Sequence, residues 1–103
     1  MSSTQPTYSL QRVQELVTLV RYRISGTAVN GAGDLGFDEQ DVVACVGALV
    51  TADFYKTMEA THRPGFWQDV YRPVYGGIDV YVKVQLEGTD PDDTAVLIQF
   101  KRR

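Results

Sequence analysis

Apolar positions along the chain change period part-way. Leu10, Val13, Leu16 or Val17, and Val20 recur at three- and four-residue intervals, the spacing of one helix face. Ser9 stands before them as an N-cap, so a helix is expected in LQRVQELVTLVRYR, with Arg12, Arg21 and Arg23 on its solvated side. Residues before Ser9 are expected to be disordered. The small, glycine-rich run 26–36 fits a short helical turn or a loop. Asp38 caps a second expected helix running to about residue 49, where Glu39 and Asp41 in the first turn complement the helix dipole. Thr51 would cap one further turn. Beyond it the period drops to two. Strands are expected at about 56–62, 66–75, 78–86 and 94–101, the last alternating Val96, Ile98 and Phe100 with Leu97, Gln99 and Lys101. Residues 87–93 read as an acidic turn. Helices first and an antiparallel sheet second make an α+β arrangement.

Two turns set the register of that sheet. Pro64-Gly65 suits the centre of a type II turn, and Gly76-Gly77 suits a two-residue hairpin loop. With the second loop fixed, Tyr75 pairs with Ile78, Arg72 with Tyr81, Val70 with Lys83 and Gln68 with Gln85. Gln68, Arg72, Tyr81 and Lys83 then share one face. Trp67, Tyr71, Val82, Val84 and Leu86 take the other and form the core beneath the helices, leaving Gln68 and Arg72 exposed. A strict two-residue turn at Pro64-Gly65 would put Lys56 on the core face. An odd-length loop or a bulge returns it to the polar face, and is favoured because an unpaired ammonium is costly to bury.

Composition narrows the function classes. A chain of 103 residues with 44% hydrophobic and 22% charged residues is one ordinary globular domain, with the cytoplasm as default location. Its single cysteine, Cys45, lies in an apolar run and reads as a buried hydrophobe; it excludes an internal disulfide and a cysteine-based zinc site. His62 is the only histidine, so no metal site is expected. The net charge of −3 argues against general nucleic-acid affinity. Bases nevertheless gather between Lys56 and Lys83 and at Lys101-Arg102-Arg103, which leaves room for a local basic face or a partner contact.

A Lys/Gln/Arg/Tyr face offers hydrogen-bond donors and fixed positive charge, which suit a phosphate gaining charge in a transition state. RNA supplies its own nucleophile, the ribose 2′-hydroxyl. An enzyme using it needs a proton acceptor, a donor to the leaving 5′-oxygen and cations for the phosphate oxygens. Tyr81, Lys56, Gln68 and Arg72 are the candidates, and Arg72 opposite Tyr81 is expected to make that phenol more acidic. A face that binds RNA or protein without cleaving is the alternative class.

The blocks DFYKTM, FWQDVYRP, DVYVKV and VLIQFK resemble the MqsR toxins of bacterial type II toxin–antitoxin modules, in the RelE-like fold superfamily. The resemblance covers nearly the whole chain. It implies a single RelE-like domain over residues 1–103 and an mRNA interferase that cuts single-stranded mRNA without a metal or other cofactor, GCU being the preferred context. The motif positions carry Lys56, Gln68 and Tyr81 over as catalytic residues. Arg72 becomes a phosphate ligand, with Tyr55 and Lys83 as further RNA-binding candidates. The implied partner is an antitoxin with a zinc-bearing toxin-binding domain and a helix-turn-helix DNA-binding domain.

Overall fold

The computed structural model describes residues 2–3 as backbone, and residues 5–103 in full. Strands β1 (Ser2–Ser3), β2 (Tyr22–Ile24), β3 (Phe54–Glu59), β4 (Trp67–Tyr71), β5 (Val74–Tyr75), β6 (Ile78–Glu87) and β7 (Thr94–Arg102) form one sheet. Its order is β1-β3-β4-β6-β7-β2, with β5 beside β6. Helices α1 (Leu10–Thr18), α2 (Gly26–Asp34) and α3 (Glu39–Gly47) accompany it in an α+β fold. Val13, Leu16, Ala28, Ala32, Val42 and Val46 from the helices meet Tyr71, Val80, Val82, Val84, Leu97 and Phe100 from the sheet in one core.

The hairpin register is as the glycine turn dictates: Tyr75 faces Ile78, Val70 faces Lys83 and Tyr71 faces Val82. Gly76 and Gly77 both have positive φ, as a primed turn requires. The β3–β4 loop has odd length, Glu59 pairing with Trp67, so Lys56 falls opposite Val70 on the polar face. Within that loop an Arg63 carbonyl accepts from the Phe66 amide around Pro64-Gly65, with Gly65 at φ +89°.

Several expectations are corrected. Helix α1 stops at Thr18 instead of running through Arg23, because Val20 adopts φ +58° and turns the chain. Residues Tyr22–Ile24 become a strand parallel to β7, so the sheet is mixed rather than wholly antiparallel. Alternation over three residues is too short to compete with the helical pattern before it. Arg12 is not on a bare solvated face: it binds Asp93 at 2.5 Å and also pairs with Asp90 and Glu15, while Arg21 donates to the Asp93 carbonyl oxygen at 2.9 Å. The acidic turn is thereby pinned to α1 and its charge largely met.

The segment before Ser9 is built into the fold. Ser2–Ser3 pair with β3, and the amides of Thr7 and Tyr8 both donate to the Asp69 carboxylate at 2.9 Å. Residues 1 and 4, also expected to be disordered, lie outside the described residues. The run 26–36 forms the nine-residue α2, where smallness serves packing: a Cβ on Gly31 would stand 2.0 Å from the Phe100 carbonyl oxygen. Trp67 is only half-buried, and it lines a hollow with Gln5, Pro6, Thr7 and Thr57 rather than the helix core. It shares Tyr71's face but lies at the far end of its strand, beyond the helices. Gln68 and Arg72 are half-buried, not exposed.

Candidate active site

The sheet face away from the helices gathers Tyr55 and Lys56 from β3, and Gln68 from β4 with Arg72 just beyond it. Tyr81 and Lys83 come from β6 and Lys101 from β7. All six residues singled out from sequence lie on it. A bulge between Phe54 and Lys56 explains how two successive residues, Tyr55 and Lys56, serve one face. Lys101 was expected at the end of the closing strand and in a basic cluster, but not as part of this face. Its pairing with Tyr81 across β6 and β7 puts it here, a placement that needs the register shift between Lys83 and Val84.

Val70 lies at the centre of this face and is 0% exposed although no helix covers it. Its register neighbours are Lys56 and Lys83, whose aliphatic stems can shelter it while their ammonium groups stay wet. The Lys83 ammonium is loosened as a result. Burial, then the nearby charges of Lys101 and Lys56, hold it below the ordinary lysine range.

Tyr81 differs from expectation. Arg72 does not reach it; the guanidinium stacks on the Tyr55 ring at 4.2 Å. Tyr81 instead meets Lys101 at 4.9 Å and Lys83 at 5.9 Å from its ring centroid. Burial, with Tyr55 as a smaller influence, raises its phenol above the usual tyrosine value rather than lowering it. Tyr81 is therefore a neutral hydrogen-bond donor at pH 7 and no base.

Among the described residues, Lys56, Arg72, Lys83 and Lys101 have no carboxylate within ion-pair distance, whereas Arg12, Arg23, Arg63 and Arg103 all do. Arg72 Nε is buried and meets no acceptor among the described residues. A hollow of about 230 Å³ opens beside it, lined by Ala52, Asp53, Phe54, Tyr55, Arg72 and Arg103. Four unpaired cations, a neutral phenol and an amide converge on one open surface. Such an arrangement is chemically suited to a polyanion and presents a proton donor to it.

The comparisons with known proteins agree with this chemistry. A family model described as "Motility quorum-sensing regulator, toxin of MqsA" matches residues 5–102. The chain belongs to the MqsR toxin family. It is 33% identical over 84 residues to the mRNA interferase toxin MqsR of Escherichia coli (strain K12), covering 82% of this chain and 86% of that protein. The match takes in the whole open face of this MqsR-family chain, from Tyr55 to Lys101.

Proposed function

We propose that this protein is the toxin of a type II toxin–antitoxin module, an endoribonuclease that cleaves single-stranded mRNA at preferred triplets. The observation that carries the reading is the open face: four cations without carboxylate partners around a neutral Tyr81, in a chain of the MqsR family. Three ammonium groups would repel a divalent cation, so the reaction assigned here is metal-independent attack by the ribose 2′-hydroxyl, leaving a 2′,3′-cyclic phosphate and a 5′-hydroxyl. Tyr81 donates its proton to the departing 5′-oxygen. Lys56 and Arg72 neutralise the charge growing on the phosphate oxygens. Burial and the charges of Lys101 and Lys56 disfavour the Lys83 ammonium, and in the fraction of molecules where Lys83 is neutral its amine accepts the 2′-hydroxyl proton. Gln68 positions the nucleotide, and the exposed Tyr55 ring offers a stacking surface for a base. Residues 1–103 act as one RelE-like domain, with GCU the first triplet to try.

The partner is an antitoxin of the MqsA kind, with a zinc-bearing toxin-binding domain and a helix-turn-helix domain. Among the described residues no helix is long and apolar enough to cross a membrane, and a cytoplasmic site of action is proposed.

The test is incubation of purified protein with a single-stranded RNA containing every triplet, in EDTA. Cleavage with cyclic-phosphate ends is expected. Cleavage abolished by the chelator would overturn the metal-free mechanism. RNA binding without any cleavage would make this face a binding module instead.

A further inference from the structure

A row of amides leads away from Gln68 along the open face. Gln68 Nε2 donates to Gln85 Oε1 at 3.1 Å, and Gln85 Nε2 donates to Glu87 Oε2 at 2.6 Å. Glu87 also accepts from Arg23 Nη2 on Oε1 at 2.9 Å and from Arg63 Nη1 on Oε2 at 3.3 Å. Gln85 is 1% exposed, so its amide has little access to water and depends on these two partners.

The direction of this row is fixed by charge. An ionised carboxylate only accepts hydrogen bonds, and Glu87 is kept ionised: Arg23 above all, with Gln85 and Arg63, holds its carboxyl below the usual glutamate value. Gln85 therefore presents its NH₂ to Glu87 and its Oε1 to Gln68, and Gln68 must answer with its own NH₂. Turning the Gln68 amide over would set two carbonyl oxygens against each other in a half-buried place, at the expense of a hydrogen bond. Gln68 Oε1 meets no donor among the described residues.

We infer that Glu87, acting through Gln85, orients the Gln68 amide so that its carbonyl oxygen is offered to the RNA, making Gln68 an acceptor for a nucleotide hydrogen-bond donor. Such a donor is a base N–H or a ribose 2′-hydroxyl; a phosphate oxygen is excluded because it, too, only accepts. Gln85 and Glu87 are positioning residues, each acting at a distance from the reacting atoms. The inference rests on the open face being the RNA-cleaving site.

Gln85→Met keeps the length of the side chain and removes the relay. Its kcat/KM on a cleaved RNA should fall about tenfold, the worth of one hydrogen bond. In a Gln68→Ala background the same substitution should cost nothing, because the relay then has nothing to orient. An equal loss in both backgrounds, or no loss in either, overturns the relay. Glu87→Gln, at a more exposed position, guards against misfolding of Gln85→Met: it lets the row run either way and should lower kcat/KM by a few-fold, again only where Gln68 is present. A changed distribution of cleaved triplets in Gln85→Met identifies a base donor, and a uniform fall at every triplet identifies the ribose hydroxyl. Side-chain amide exchange, read by NMR without RNA, separates the two levels of the proposal. Protected Gln68 Nε2 protons that lose protection in Gln85→Met support the relay even if the protein cleaves no RNA. Unprotected Gln68 protons in the native protein overturn it.

Discussion

Asp69 and Lys83 stand one strand apart on opposite faces of the sheet, Asp69 pairing with Val84, the residue after Lys83. Asp69 is 1% exposed, and both of its carboxylate oxygens are taken by backbone amides of Thr7 and Tyr8. Lys83 is crowded by Lys56 and Lys101 and has no carboxylate beside it among the described residues. Under the helices, an unpaired charge would lack both water and a partner, and the fold must satisfy it internally. On the open face water does that work until a ligand replaces it. The difference separates polar groups that hold the structure from those kept unsatisfied for something else. Like-charge crowding at Lys83 and the unpartnered Arg72 Nε belong to the second kind.

Substitutions on each face should therefore fail in different ways. The largest expected effect is on the open face. Tyr81→Phe should lower the cleavage rate by about 10²–10⁴-fold, the range for losing a general acid, while the melting curve and RNA affinity hold. Unchanged cleavage would reduce Tyr81 to a stacking surface and leave proton transfer to the lysines.

On the covered face the expected loss is of stability. Gly31→Ala drives a methyl into the Phe100 carbonyl oxygen and should cost about 3 kcal/mol in chemical denaturation, since β7 is held by β6 on one side and β2 on the other. A cost under about 1 kcal/mol would mean α2 can lift from the sheet.

Arg72→Ala returns to the open face with a smaller effect. RNA affinity should weaken, and the slope of log affinity against log salt should flatten by about 0.7, one phosphate contact on a single strand. An unaltered slope would show that Arg72 only braces Tyr55.

Val20 tests the frame linking the two faces. It is 74% exposed at φ +58°, where a β-branched residue is strained. Val20→Gly should stabilise the protein by about 0.5–1 kcal/mol, glycine's larger unfolded entropy offsetting part of the relief. Equal or lower stability would mean that the turn is held by more than its backbone.

The smallest effect expected is electrostatic, and its sign differs between regions. Lys83 has a folded value below its unfolded one, so its protonated form costs stability at neutral pH, and that cost fades as pH rises through the folded value. Lys83→Met should thus raise stability at pH 7 by under about 1 kcal/mol after solvent screening, while cleavage falls. Asp93 and Glu87 are depressed carboxylates, held mainly by Arg12 and Arg23 respectively. Their contribution is complete above the unfolded value of about 4 and is lost as pH falls through the lower folded values. Thermal melts from pH 7 upwards should show the first trend and melts from pH 7 to pH 3 the second, and a stability rising towards acid would contradict the second.

Short-range signals in the chain were enough for the meander and its polar face. Gly76-Gly77 admits one register, alternation assigns each side chain a face, and the cost of burying Lys56 chose the odd β3–β4 loop. The Ser9 and Asp38 caps are likewise local, each side chain accepting from an amide three residues on. Other features depended on residues far apart in sequence. Tyr22–Ile24 is a strand only because β7 lies alongside it, and the segment before Ser9 is ordered by Asp69, some sixty residues away. Arg72 turned from Tyr81 to Tyr55 because the bulge in β3 brings that ring within reach, which left the Tyr81 phenol to be governed by burial. Lys101 and the Gln68–Gln85–Glu87 row likewise arise from strand pairing. Turn and cap chemistry act over a few bonds and can be read along the chain. Burial, ion pairing and pKa depend on what surrounds a group in space, and only the folded sheet decides that.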